Sequence, residues 1–141
     1  MNQKGRILAL DYGTKKVGVA ITDPLQITAA PLTTIRYSKQ KSLFESILTI
    51  IEDKEVRQII VGLPVTLSGG KSDITNAVES FIDELTSQTD IPITTFDERH
   101  TSSDAKQTLI DMGIKTGHNK ERVDAMAAAH LLRYYMDEQG L

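Results

Sequence analysis

The sequence contains no cysteine, which excludes disulfide bonds, thiolate zinc sites and cysteine nucleophiles. It also has no run of about 18 apolar residues, so we expect no transmembrane helix. The N-terminus leads directly into a strand-like run and has no separate apolar leader region with a small-residue cleavage site. The default expectation is therefore a cytoplasmic protein.

Positive charge and aromatic side chains are scarce as well. The net charge is −3, which argues against a protein that coats nucleic acid through bulk electrostatics. Aromatic residues make up 5% of the chain and offer no evident platform for base stacking. An enzyme that binds nucleic acid through a local basic rim stays compatible with this balance.

The 141 residues, 40% of them hydrophobic, suffice for one domain over residues 1–141 with a full hydrophobic core. Short apolar or β-branched runs predict strands at 7–10, 17–22, within 27–35, at 58–62 and at 93–96. Helical spacing of apolar residues predicts helices around 43–51, 74–85, 102–112 and 122–137. Ser38 is the expected N-cap of the first helix, and Pro31 indicates that the third strand lies at an edge of the sheet or is interrupted.

This order, βββ-α-β-α-β-α-α, predicts an α/β fold. Three strands close together in the sequence favour an antiparallel meander, and the later alternation of strands and helices favours parallel strands. We therefore expect a mixed five-stranded sheet flanked by helices on both faces.

Three acidic residues stand where a site could form. Asp11 follows the first strand, Glu98 follows the last strand, and Asp124 falls in the first turn of the final predicted helix. In open α/β sheets, ligands bind at the carboxyl ends of strands. Mg²⁺ prefers carboxylates, water and phosphate oxygens, and one or two such ions support phosphodiester cleavage.

Each acid also has a purely structural interpretation when taken alone. Asp11 could form a turn, and Glu98 could pair with Arg99 or His100 at the surface. Asp124 could be a helix-start acid favoured by the helix dipole. The functional interpretation depends on the three acids together.

The chain resembles one family, the YqgF (RuvX) family of the ribonuclease H-like superfamily. Four stretches in the family's order carry the resemblance: residues 11–20 (DYGTKKVGVA), 61–64 (VGLP), 97–101 (DERHT) and 123–128 (VDAMAA). His100 and Ser102 depart slightly from the family's pattern, which more often has an apolar residue and a threonine there. The resemblance covers nearly the whole chain.

The resemblance implies a ribonuclease H-like fold with Asp11, Glu98 and Asp124 in the acidic metal-site positions, holding Mg²⁺ or Mn²⁺. It also implies a nuclease that matures the 5′ end of pre-16S ribosomal RNA, and so takes part in ribosome biogenesis. The family has also been regarded as a candidate Holliday junction resolvase, because it is similar to RuvC-type resolvases.

Candidate substrate-binding residues surround the three acids. They are Gly13, Thr14, Lys15, Lys71, Arg99, Lys120 and Arg122. Gly13 is expected to supply a positive φ angle or a close approach to phosphate. The lysines and arginines are candidates for phosphate contacts, although solvated surface positions are the competing interpretation.

Three alternatives to a processing nuclease stay open. The first is a resolvase acting on branched DNA. The second is a kinase or ATPase of the actin and sugar-kinase type, which also begins with a strand followed by Asp-x-Gly-Thr but needs two such domains. The third is a non-catalytic RNA-binding factor in ribosome assembly.

Overall fold

The computed structural model describes residues 5–13, 15–63, 73–97 and 120–140. Its strands are β1 (Arg6–Tyr12), β2 (Lys16–Thr22), β3 (Ala29–Arg36), β4 (Val56–Leu63) and β5 (Ile93–Asp97). Its helices are α1 (Gln40–Asp53), α2 (Asp73–Gln88) and α3 (Lys120–Gln139). The helix predicted at 102–112 lies outside the described residues.

The five strands form one mixed sheet in the order β3-β2-β1-β4-β5. β1 pairs antiparallel with β2, and β2 pairs antiparallel with β3, as the predicted meander requires. β1 and β4 pair in parallel, and so do β4 and β5. The predicted mixed sheet is confirmed. Pro31 lies in the edge strand β3, beside a point where the register of β3 with β2 shifts.

Alternate residues of the central strands feed two hydrophobic clusters, one on each face of the sheet. Ile7 and Ala9 of β1 pack against α3, whereas Leu8 and Leu10 belong to the cluster that includes residues of α1 and α2. Helices therefore cover both faces, and β1 carries a continuous apolar run because both of its faces are buried.

Small side chains let α3 lie close to the sheet. Ala127, Ala128 and Ala129 are all buried in its contact with β1 and β2. Further along α3, the Tyr135 ring meets Phe96 of β5 edge-on, with ring centroids 6.2 Å apart. α3 thus lies over β1, β2 and β3 on one face of the sheet and contacts β5 through Tyr135. None of the described helices is long and apolar enough to cross a membrane.

The predicted N-cap of α1 and the predicted first-turn position of Asp124 are wrong. The N-cap of α1 is Lys39, with extended backbone angles and no side-chain capping hydrogen bond, and not Ser38. α3 begins at Lys120, so Asp124 lies beyond the first turn of the helix. Because helix-dipole effects fade within the first turn, the structural interpretation of Asp124 loses much of its force.

Candidate active site

Asp11 lies at the carboxyl end of the central strand β1, on the face that α3 covers. Side chains alternate along a strand, so Asp11 shares the face of Ile7 and Ala9, which contact α3. The Asp11 side chain is half-buried, and its register partner on β2 is Gly18. Asp11 is therefore directed toward the part of α3 that crosses β2.

Gly18 brings Asp124 to the same place. A Cβ atom added at Gly18 would overlap the backbone carbonyl of Asp124 and approach the amide nitrogen of Ala125. α3 thus contacts β2 through backbone at this point, directly beside the register partner of Asp11. Two acids that are far apart in the sequence are brought together by this close packing of helix on strand.

An ion pair links Asp124 to the β1–β2 hairpin. The Nζ atom of Lys16 lies 2.7 Å from Oδ2 of Asp124, and the two side chains are only 19% and 26% exposed. Apart from this ion pair, Oδ2 is buried and has no hydrogen-bond partner among the described residues. This oxygen therefore has a neighbouring positive charge but unused capacity as an acceptor.

The donor set suits a divalent cation. Two carboxylates supply the hard oxygen ligands that Mg²⁺ and Mn²⁺ take, and the acceptor capacity of Asp124 Oδ2 is available for one. Within the described ranges no group of three acidic or histidine side chains forms a complete cluster. Glu98, the third predicted acid, lies outside those ranges, directly after β5.

Tyr37 holds the hairpin that precedes Lys16. Its hydroxyl donates a 2.6 Å hydrogen bond to the carbonyl of Gly13, and its backbone N–H donates to the carbonyl of Lys15 at 3.1 Å. Burial, followed by the nearby Tyr12 hydroxyl, raises the pKa of Tyr37 above its ordinary value. The phenol therefore stays a neutral donor at physiological pH.

The role expected of Gly13 needs correction. Gly13 has no positive φ angle; the described glycines that do are Gly5 and Gly140. Instead, a Cβ atom at Gly13 would come within 2.6 Å of the carbonyl oxygen of Lys16. A glycine is needed because the hairpin closes too tightly for a side chain.

The other predicted site residues are not placed by the structure. Thr14, Lys71 and Arg99 lie outside the described residues, and for Lys120 and Arg122 only the backbone of α3 is described. Sequence reasoning missed Tyr37, and it considered Lys16 only as a candidate contact to a nucleic-acid backbone. The DYGTKK stretch pointed to the hairpin, but nothing in the sequence showed that the second lysine pairs with Asp124.

Comparison with known proteins decides the family. The model of the RuvX family, described as a Holliday junction resolvase, matches residues 5–138. The chain belongs to the RuvX family. A relative from Roseiflexus sp. (strain RS-1), named "Putative pre-16S rRNA nuclease", is 40% identical over 138 residues, 98% of each chain. A Rickettsia typhi relative of the same name is 39% identical and covers 93% of this chain and 84% of its own.

Solved structures show the fold. RuvC of T. thermophilus in complex with a Holliday junction substrate has a TM-score of 0.61 at 11% identity, with 96% of both chains covered. The Fowlpox virus resolvase in complex with Holliday junction DNA has a TM-score of 0.62 at 12% identity, covering 95% of this chain and 98% of its own. The RuvX chain therefore has the RuvC-like, ribonuclease H-like fold that its motifs imply. The relatives are named as nucleases and the structural neighbours are resolvases, so both comparisons support the nuclease class.

Proposed function

We propose that this chain, as one domain spanning residues 1–141, is a divalent-metal-dependent nuclease that hydrolyses phosphodiester bonds. The observation that carries the proposal is the convergence of Asp11 and Asp124 at the end of β1, with Asp124 Oδ2 buried against Lys16. Lys16 offsets the charge of Asp124, but Asp11 and Asp124 together carry more negative charge than one lysine balances, and a divalent cation would balance the remainder. Binding of Mg²⁺ or Mn²⁺ is the simplest source of that charge.

Asp11, Asp124 and Glu98 are the proposed ligands of one or two ions. The assignment of Glu98 is supported by its position in the sequence directly after β5, a strand that runs parallel to β4 and so to β1. Bound ions supply charge neutralisation at the phosphate and activation of the attacking water. The protein's own contribution is to hold the acids in place, by the backbone contact at Gly18 and the hairpin fixed by Tyr37.

The proposed substrate is the 5′ region of pre-16S ribosomal RNA, cleaved in the cytoplasm during ribosome biogenesis. The names of the relatives support this choice, since proteins 39–40% identical to this chain over most of its length carry the name of a pre-16S rRNA nuclease. The proposed partners are structured RNA and precursor ribosomal particles. Candidate phosphate contacts are Thr14, Lys15, Lys71, Arg99, Lys120 and Arg122, together with Gly13.

A second candidate is a resolvase that cleaves four-way DNA junctions. Two observations favour it: the description of the family model, and the similarity in fold to resolvases solved with Holliday junction DNA. Both candidates use the same acids, so the choice between them concerns the substrate and not the chemistry.

Cleavage of two labelled substrates tests the proposal. A precursor 16S 5′-leader RNA and a four-way DNA junction are each incubated with wild type, with Asp11→Asn and with the surface control Asp53→Asn, in Mn²⁺ and in EDTA. We expect cleavage of the RNA by wild type and Asp53→Asn in Mn²⁺ alone, and none by Asp11→Asn. Junction-selective cleavage would transfer the assignment to the resolvase. Binding of either substrate without cleavage under any condition would favour an assembly factor.

A further inference from the structure

A basic cleft lies at the β3 edge of the sheet, beside the β1–β2 hairpin. Lys15, Arg36, Tyr37 and Ser38 line this open cleft, which has a volume of about 630 Å³. The backbone hydrogen bond from Tyr37 to Lys15 joins the end of β3 to the β1–β2 hairpin and so forms the cleft. Because β3 is the edge strand of the sheet, no further strand of the described sheet covers this side.

Strand register places Arg36 on the same face as the acids. Arg36 of β3 is the register partner of Lys16, and residues directly paired across strands direct their side chains to the same face. Lys16 contacts Asp124, so this is the face of α3 and Asp11. Arg36 is two strands away from Asp11, a lateral separation of about 10 Å. A nucleic-acid strand lying over the acids can therefore continue over Arg36.

Positive charge is concentrated at this edge. Of the 16 basic residues, five fall between Gly13 and Phe44, a segment with a single acidic residue, Asp23. Asp23 lies in the turn between β2 and β3, at the opposite end of the sheet, where its carboxylate accepts backbone hydrogen bonds. Elsewhere the chain is acidic in balance, so Lys15 and Arg36 give this cleft a local positive charge despite the net charge of −3.

From these observations we infer that the cleft of Lys15 and Arg36 is a binding site for the sugar-phosphate backbone of the substrate, on the β3 side of the acids. The inference rests on the proposed function, because it extends the path of the nucleic acid from the acid site. Arg36 presents a planar guanidinium suited to two phosphate oxygens, and Lys15 adds a second positive charge. Lys15 and Arg36 are exposed at the rim of this cleft, within reach of a nucleic-acid backbone.

Counterion release sets the size of the effect. Each phosphate contact on a single strand contributes about 0.7 to the slope of log affinity against log salt concentration, so loss of two contacts lowers the slope by about 1.4. At about 0.1 M monovalent salt, this corresponds to roughly 25-fold weaker binding. Both side chains are exposed, so their removal leaves the hydrophobic clusters intact.

The test is binding of a fluorescein-labelled single-stranded RNA from the pre-16S leader, followed by fluorescence anisotropy in EDTA over a series of salt concentrations. The double variant Lys15→Gln/Arg36→Gln is compared with wild type. Lys54→Gln/Arg57→Gln is the matched control, because it removes two positive charges at the amino end of β1, away from the acids. We expect the loss of affinity and of salt slope in the first double variant only. The same loss with a DNA oligonucleotide of the same sequence would confirm recognition of phosphate.

Equal affinity and equal salt slope in the two double variants would overturn the inference. Cleavage assays keep this failure separate from failure of the proposed function. If wild type cleaves and Lys15→Gln/Arg36→Gln binds and cleaves equally well, the cleft is not a binding site but the nuclease proposal stands. If wild type does not cleave but the variant loses binding, the cleft stands and the nuclease proposal fails.

Discussion

Replacement of Gly18 by alanine is the sharpest structural perturbation of the site. In an ordinary buried strand, Gly→Ala stabilises a protein by about 0.4–1 kcal/mol, because it restricts the unfolded chain. At Gly18, however, the added methyl group would overlap the backbone of Asp124. Backbone of a packed helix cannot rotate away as a flexible side chain can, so α3 must move by roughly 1 Å to restore van der Waals separation.

The expected cost follows from this displacement. Overpacking of a well-packed interior costs about 1–3 kcal/mol, which exceeds the gain from the unfolded state. We therefore expect Gly18→Ala to lower the free energy of unfolding in urea by about 1–2 kcal/mol with an unchanged m-value. Asp124 moves away from Asp11 at the same time, and a misplacement of about 1 Å in a catalytic site costs roughly 100-fold in rate.

Gly140→Ala is the control for a general effect of the substitution. No atom lies within 4 Å of a Cβ atom added at Gly140, although its φ of +73° makes the substitution locally strained. We expect it to leave cleavage unchanged. A Gly18→Ala protein as stable as wild type, with equal activity, would refute the close packing of α3 on β2.

Three further predictions concern single side chains near the site. Lys16→Met leaves the buried Oδ2 of Asp124 without its neighbouring positive charge, so we expect the stability of the fold to fall by roughly 1–3 kcal/mol in EDTA and to recover in part in Mn²⁺. Thermal denaturation in both conditions measures this, and equal melting temperatures for variant and wild type would contradict it. Tyr37→Phe is expected to lower the free energy of unfolding in urea by about 0.5–1.5 kcal/mol below about pH 10. The difference from wild type should shrink at higher pH, because the pKa of Tyr37 is raised in the folded protein and wild type loses stability once the unfolded chain deprotonates. A pH-independent difference would be evidence against the buried phenol. Lys39→Asp supplies the missing cap of α1, so we expect about 1 kcal/mol of added stability in the same assay, and no gain would count against Lys39 as the N-cap.

The strands were predictable because burial leaves a direct mark on the sequence. β1 and β4 lie in the centre of the sheet with both faces covered, so their residues form short continuous apolar runs. Pro31 limited β3 to an edge position or an interruption, and the structure shows the edge position. The start of α1 was harder, because apolar spacing begins only at Leu43 and the capping position depends on local backbone angles.

The site was predictable only in part. Asp11 could be recognised as a site residue because a carboxylate at the end of a buried strand costs desolvation energy and does not stabilise the fold. The partnership of Lys16 with Asp124 depends on hairpin register and on the docking of α3, which no local pattern encodes. The same holds for Gly18, where a side chain is excluded by the backbone of a helix more than a hundred positions later in the sequence. Glu98 stays a prediction.

Calorimetric titration of Mn²⁺ into the metal-free protein tests the central claim most directly, because it asks whether the acids form one cation site without requiring a known substrate. Wild type is compared with Asp11→Asn, Asp124→Asn and the surface control Asp53→Asn. We predict saturable binding to wild type and to Asp53→Asn, and its loss in both site variants. Unchanged Mn²⁺ binding by Asp11→Asn and Asp124→Asn would contradict the account.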